Sequence, residues 1–333
     1  MDKGGTMKRT KLLGLLFPLT LLFSLSTQAQ TEATQAQTNM ATADALYSAA
    51  AKESDAGHYQ EAVASLQQAV LLRPDWAEAH FNLCQANVHV GQVSEAVAAC
   101  KRALSLNDKY GAAYLLLGKI YQRTGHAAEA LAALKLAVNY QPRDANSYLE
   151  LGNAYSDLDQ REAAVTAFRR ATELAPNLAE AYNNLGYNYF FLAQYREAID
   201  AFNHALSLHP EMAQAHRNLG IAYSELGDHR QAVAALEQAV KLKPTFAEAY
   251  YELAYSLTKL GRRREALAAC QQAVNLKPDF AEARQTLGFL YLALNQKDAA
   301  LEQYKQLQTM STDLADALFR AIYRDKMVDV SRR

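Results

Sequence analysis

The residues best able to do chemistry in this 333-residue chain are its three cysteines, Cys84, Cys100 and Cys270. Cys84 and Cys100 stand 16 positions apart with Gly91 between them. In two antiparallel helices turning near that glycine they would face each other. They would then be either a disulfide, in an oxidising compartment, or two small buried thiols filling a core. Cys270 is core filler in either case. His80 lies one helical turn before Cys84 and raises a zinc reading, but a fourth ligand is missing. Hydrolase, metalloprotease, phosphate-loop and dinucleotide signatures are all missing, and the eight histidines are scattered over different faces. Most carboxylates fall where a first helical turn would begin, and the helix dipole accounts for them. No catalytic, cofactor-binding or metal-binding residue is expected, and the chain reads as not an enzyme.

Stepping along the sequence in a frame of 34 residues, without a gap, aligns the chain with itself from Ala43 to Leu314 as eight units. Place 20 of the frame is Ala62, Ala96, Ala130, Ala164, Ala198, Ala232, Ala266 and Ala300. Place 32 is proline in six units, with Asp108 and Thr312 as the exceptions. Apolar residues recur every three or four positions in two groups per unit, so each unit predicts two amphipathic helices. Small residues at places 8 and 20, such as Gly186 and Ala198, would let the two helices approach closely. Place 15 is Gly57, Gly91, Gly125, Gly227 and Gly261, where a helix commonly ends on a left-handed residue. Asp159 and Asn295 tolerate that conformation; Ala193 does not, so the fifth turn is expected to differ. Asp75, Asn177, Thr245 and Asp279 each stand three residues before a glutamate, a pattern that predicts capping boxes.

The unit Ala179–Pro210 carries Tyr182, Leu185, Gly186, Tyr189, Ala198, Phe202, Ala205 and Pro210 at fixed places. On these residues the chain resembles the tetratricopeptide repeat family, in an exported bacterial form. The resemblance implies an all-α fold, an α-α superhelix (solenoid) of eight repeats: 43–76, 77–110, 111–144, 145–178, 179–212, 213–246, 247–280 and 281–314. A capping helix at 315–326 and a tail at 327–333 would follow.

The resemblance also implies which places the inner helices leave free for a ligand. Place 9 turns from polar (Ala51, Gln85, Lys119, Asn153) to apolar (Tyr187, Ile221, Tyr255, Phe289) halfway along the chain. Phe190 and Tyr251 join the same region, and Asn184 and Asn218 supply amides that can donate and accept. Family members with an inner asparagine ladder grip an extended chain in this way. The expected partner-binding set is therefore Asn184, Tyr187, Phe190, Asn218, Tyr251, Tyr255 and Phe289. A contact between copies of the chain is the competing use of such rings. The family's clamp for a terminal carboxylate is not matched: its basic places hold Leu149 and Gln214, and only Arg217 offers a charge nearby.

The amino terminus carries Lys3, Lys8, Arg9 and Lys11, an apolar run from Leu12 to Leu25, and Thr27-Gln-Ala29. This predicts a signal peptide over 1–29, then a flexible leader over 30–42. Export to the periplasm or beyond is expected, with no membrane span after cleavage; a retained signal would anchor the chain. From Ala43 onward no linker divides the array, which reads as one domain.

A net charge of −1 gives no field that would recruit nucleic acid. Arg161, Arg196, Arg230, Arg262, Arg263, Arg264 and Lys297 fall in turns and are expected along one edge. Two functions fit. One is an envelope scaffold binding a peptide or helical segment on its concave face. The other is a structural subunit of an envelope assembly (secretion, pilus or polysaccharide machinery), held by its convex surface or ends.

Overall fold

The structure is a computed structural model and describes Met1 and residues 16–323. Among the described residues it is all helix, in two compact units, Met1–Pro142 and Arg143–Arg333. The first unit holds α1 (Leu16–Asp55), α2 (Tyr59–Leu72), α3 (Ala77–Val90), α4 (Val93–Leu106), α5 (Gly111–Arg123) and α6 (Ala127–Tyr140). The second holds α7 (Ala145–Asp157), α8 (Arg161–Leu174), α9 (Ala179–Phe191), α10 (Tyr195–Leu208), α11 (Ala213–Glu225) and α12 (His229–Leu242). It continues with α13 (Ala247–Lys259), α14 (Arg263–Leu276), α15 (Ala281–Ala293), α16 (Lys297–Gln308) and α17 (Thr312–Ile322). Each repeat is one antiparallel pair, and α17 follows the eighth. The boundary between the units falls after the proline of the third repeat, where the sequence shows no change of composition.

The repeated small residues are the reason the pairs close. All eight place-20 alanines are fully buried, and so are Ala69, Ala103, Ala137, Ala171, Ala205, Ala239 and Ala273 on the same helices. Opposite them, a Cβ added to Gly118, Gly152, Gly186 or Gly220 would stand 2.5 to 2.8 Å from Leu134, Phe168, Phe202 or Leu236, respectively. Place 8 thus packs on place 24 in these hairpins, and in these four a hydrogen at the one makes room for a large side chain at the other. In the second repeat those two places are Cys84 and Cys100. Both are fully buried and joined as a disulfide, with Cα atoms 5.3 Å apart. Cys270 is buried and free, its Sγ donating to the carbonyl of Ala283, and burial raises its thiol to about 12.

The last hairpin closes differently. Gly288 faces Leu318 of α17 rather than a residue of α16. Leu318 and Ile322 are buried with Leu307 and Ala315, so α17 covers the end of the array. It starts at Thr312, three residues before the expected cap at 315, and Arg324, Asp325 and the tail lie outside the described residues.

The turns correct two expectations. Ala193 adopts φ 56°, like Asp159 at 57° and Asn295 at 58°, so the fifth turn is built as the others are. Its amide donates to Phe190 O at 2.9 Å and that of Gln194 to Tyr189 O at 2.9 Å, the same pair that Gly91 and Gln92 make with Val88 and Asn87. Packing on both sides of the turn imposes a conformation that alanine disfavours.

The capping boxes do not form. The residue before α3, α9, α13 and α15 is Trp76, Leu178, Phe246 or Phe280, with no side-chain capping bond. Asp75 and its equivalents sit one place too early, because the apolar residue after them occupies the cap position; Phe246 there is buried. Side-chain caps occur at Asp144, which accepts from Ser147 N, and at Asp228, which accepts from Gln231 N.

Residues 30–42, expected as a flexible leader, lie within α1. Threonine, alanine and glutamine dominate them; alanine and glutamine favour helix, and extending an existing helix avoids the cost of nucleation. Residues 2–15, which hold the basic start of the expected signal peptide and the beginning of its apolar run, lie outside the described residues. Among the described residues no helix is long and apolar enough to cross a membrane.

Candidate functional site

In the second unit the first helix of each repeat runs beside the first helix of the next, so α9, α11, α13 and α15 present one row of side chains. Place 9 projects from that row. Tyr187 is 39% exposed, Tyr255 42% and Phe289 39%, with Ile221 half-buried between them. Large rings left this open do nothing for the hydrophobic core.

Between α9, α10 and α11 the row opens into a cavity of about 340 Å³, lined by Tyr187, Phe190, Phe191, Phe202, Arg217, Asn218 and Ile221. Three of the seven expected residues, Tyr187, Phe190 and Asn218, meet here. Phe202 forms part of the lining because it already packs on Gly186. Phe190 packs edge-on against Phe191, with ring centroids 5.6 Å apart, and tilted against Tyr195 at 5.5 Å. Asn218 is 8% exposed, and its Oδ1 accepts from Gln214 Nε2 at 2.9 Å. Arg217 extends past the cavity to Glu252, 3.7 Å away, and its Nε is buried without a partner.

The other four expected residues stand apart from this cavity. Asn184 is half-buried and spends its amide inside the protein: Nδ2 donates to Asn153 Oδ1 at 2.9 Å, and Oδ1 accepts from Asn183 Nδ2 at 3.1 Å. Tyr251 is half-buried against Phe280, centroids 5.0 Å apart, and burial raises its phenol. Tyr255 lies beneath Lys259 Nζ at 5.1 Å, and Phe289 stands further along the row.

Two contributors are not singled out by the repeat pattern. Phe191, 53% exposed, is the most open ring of the group. Its sequence signal is the Phe190-Phe191 pair at the end of α9, where two successive apolar residues cannot both face the core. Arg161 is the other. Expected on a solvated edge, it is instead only 18% exposed in its side chain. It binds Asp159 at 2.6 Å, Ser156 Oγ at 3.1 Å and Asn188 Oδ1 at 3.3 Å, and stacks over Phe191 at 4.6 Å. The guanidinium covers one side of Phe191 and steadies the lip of the cavity. Arg196, Arg230, Arg262, Arg263, Arg264 and Lys297 are exposed.

Glu252, at place 6 of α13, is mostly buried. Burial raises its carboxyl above the ordinary range and Glu225 adds to the rise, while Arg217 opposes them. Glu248 is lowered, first by a backbone hydrogen bond and then by Lys277 at 3.3 Å.

In the first unit Asn82, Gln85, His89, Ser54 and Asp55 line a more polar hollow of about 330 Å³, in which Tyr59 stacks on His89 at 4.1 Å. His80 meets the carbonyl of Pro74 at 3.1 Å. No group of three or more histidine, cysteine or acidic residues among the described residues could hold a metal ion.

Sequence profiles described as tetratricopeptide repeat match residues 47–113, 88–148, 145–178, 179–212 and 257–321, and one described as TPR repeat matches 222–261. No curated protein matches the chain. Among solved structures, the C-terminal part of a TPR repeat-containing protein from Cytophaga hutchinsonii is 17% identical, covering 72% of this chain and 99% of that one, with a TM-score of 0.59. Pseudomonas aeruginosa pilF is 22% identical over 64% of this chain and 98% of its own, with a TM-score of 0.56. At these identities both speak for the fold alone. YrrB, described as a TPR protein with an unusual peptide-binding site, is 26% identical over 56% of this chain and 98% of its own, with a TM-score of 0.50. The hairpins, their packing of place 8 on place 24, and profile matches over most of the chain agree: it belongs to the tetratricopeptide repeat family.

Proposed function

We propose that this chain is a non-enzymatic scaffold that holds a peptide or helical segment of another protein along the row formed by α9, α11, α13 and α15. The observation that carries the reading is the open ring series Tyr187, Tyr255 and Phe289, whose first member, Tyr187, also lines the cavity. Aromatic side chains bordering a pocket supply the anchors that dominate binding energy, and they cost exposed apolar surface while empty. The similarity to YrrB, a TPR protein with a peptide-binding site, supports the same kind of use here.

Export is part of the proposal. The basic start, short apolar run and small-residue site of residues 1–29 fit a signal peptide. A buried disulfide between Cys84 and Cys100 fits an oxidising compartment such as the periplasm.

The test is capture of the partner from the native host by wild type and by a Tyr187→Ala/Tyr255→Ala variant. Both residues are open, so helicity should be unchanged, while capture should fall by about tenfold or more, as for loss of aromatic anchors. Undiminished capture would move the site off this row.

A further inference from the structure

The row of α9, α11, α13 and α15 is bordered by the first turns of the second helices. Tyr195, the first residue of α10, packs on Phe190 with ring centroids 5.5 Å apart. Arg161 of α8 stands over Phe191 at 4.6 Å, and His229 of α12 meets Tyr255 edge-on at 6.4 Å. The residue that follows each of these, at place 18, is Glu162 in α8 but Arg196 in α10 and Arg230 in α12. In α14 it is Arg264, preceded by Arg263. All four arginines are exposed.

Helix formation does not call for them. Place 18 lies in the first turn of a helix, where the dipole favours anions and disfavours cations. Glu162 and Asp298 follow that preference in α8 and α16, and Gln60, Ser94 and Ala128 are neutral in α2, α4 and α6. The carboxylates beside the arginines are otherwise placed. Glu265 holds Arg262 through two hydrogen bonds, of 2.8 and 2.6 Å, and Asp228 caps α12 by accepting from Gln231 N. Glu197 is the immediate neighbour of Arg196, a spacing at which side chains on a helix do not face each other.

We propose that Arg196, Arg230, Arg263 and Arg264 form a basic margin that selects a partner segment carrying aspartate or glutamate beside its apolar anchors. This rests on the reading of the row as a peptide-binding face and names the charge of the segment that face holds. A segment lying along the row meets these arginines one repeat at a time, and each guanidinium offers a carboxylate two parallel donors. Glu197, Asp228 and Glu265 interrupt the margin, and the chain carries a net charge of −1, so there is no continuous positive field of the kind that recruits a polyanion. Separate carboxylates spaced along a protein segment fit it.

The test uses the mature full chain and an array of labelled peptides that carry Leu or Phe anchors, with the remaining polar positions filled by Asp and Glu, by Asn and Gln, or by Lys and Arg. The acidic series should bind about fivefold or more tighter than the neutral series, the range for exposed ion pairs, and the difference should shrink as salt is added. Arg196→Gln/Arg230→Gln/Arg264→Gln should level the two series without weakening the neutral one, whereas Tyr187→Ala should weaken both. The triple variant should melt no earlier than wild type, because the helix dipole disfavours the charges it removes. Lys241→Gln, an exposed charge in the last turn of α12, should leave the preference intact.

Equal binding of the acidic and neutral series overturns the inference and leaves the peptide-binding face standing, as does an acidic preference that survives the triple arginine variant. Binding of a sulfated polysaccharide without preference among the peptides assigns the margin to an anionic polymer and also overturns it. If no peptide in the array binds, the partner captured through Tyr187 and Tyr255 decides: the triple variant should weaken its capture, and undiminished capture overturns the inference. Capture that ignores Tyr187→Ala/Tyr255→Ala as well overturns both readings.

Discussion

Ala193 holds a left-handed backbone at φ 56° in a turn whose equivalents are mostly glycine. An L-residue pays about 1–2 kcal/mol for that region, and glycine gives back part of the gain through its freer unfolded chain. Ala193→Gly should therefore stabilise the protein by about 0.5–1 kcal/mol, seen as a higher midpoint in denaturant with unchanged slope. A lower midpoint would mean that the Ala193 methyl makes contacts worth more than the strain.

At the same scale Glu252 sets a pH dependence. Its folded carboxyl is raised above the ordinary value of 4.5, chiefly by burial, with Glu225 assisting and Arg217 opposing. The folded protein keeps this proton to higher pH than the unfolded chain. The stability Glu252 contributes is therefore present in acid and lost as pH rises through the folded value. Glu252→Gln has no proton to lose. Relative to the variant, wild type should be more stable near about pH 4 than near about pH 7, as read from paired thermal melts. A constant difference across that range would show that Glu252 does not titrate out of line.

At the scale of helices, the α3–α4 hairpin differs from the α5–α6 hairpin that follows it in having a covalent bond where that one packs Gly118 on Leu134. A bridge closing a loop of 16 residues contributes about 3 kcal/mol by restricting the unfolded chain. Reductant should lower the wild-type denaturation midpoint. Cys84→Ala/Cys100→Ala should start lower and not respond. A wild-type midpoint indifferent to reductant would show that the thiols are not bonded in solution. Cys270, its thiol raised to about 12, should resist alkylation until the protein unfolds.

The helices also show what a sequence can disclose. The period, the helix pairs and the facing of place 8 on place 24 are all legible, because each depends on side-chain size at a repeated position. The caps are not. A capping box is recognised by residue type, but Trp76, Phe246 and Phe280 take the cap position for packing, a tertiary demand that local propensity does not carry. The fifth turn conforms to the others for the same reason. At the site, Tyr187, Phe190 and Asn218 can be picked out from the places a hairpin leaves free. Asn184 cannot be separated from them, since its bond to Asn153 depends on how the next hairpin stacks. Arg161 reads as a residue of the solvated edge because nothing local shows a guanidinium folding back over Phe191.

At the scale of the molecule, two units share one repeat but differ in what they offer. The first lines its hollow with Asn82, Gln85 and His89; the second exposes rings in a row beside an apolar cavity. Since each repeat is stabilised mainly by its neighbours, side chains on this row vary without disturbing the stack, and there a repeat protein can carry specificity. The central claim, that the row of α9, α11, α13 and α15 holds a partner segment, is tested most directly by site-specific photocrosslinking. A photoreactive residue replaces Phe191, Phe289 or, on the second helix of a hairpin, the exposed Leu242. The account predicts that positions 191 and 289 capture the same partner segment at different residues along it and that position 242 captures none; capture from 242 alone would contradict it.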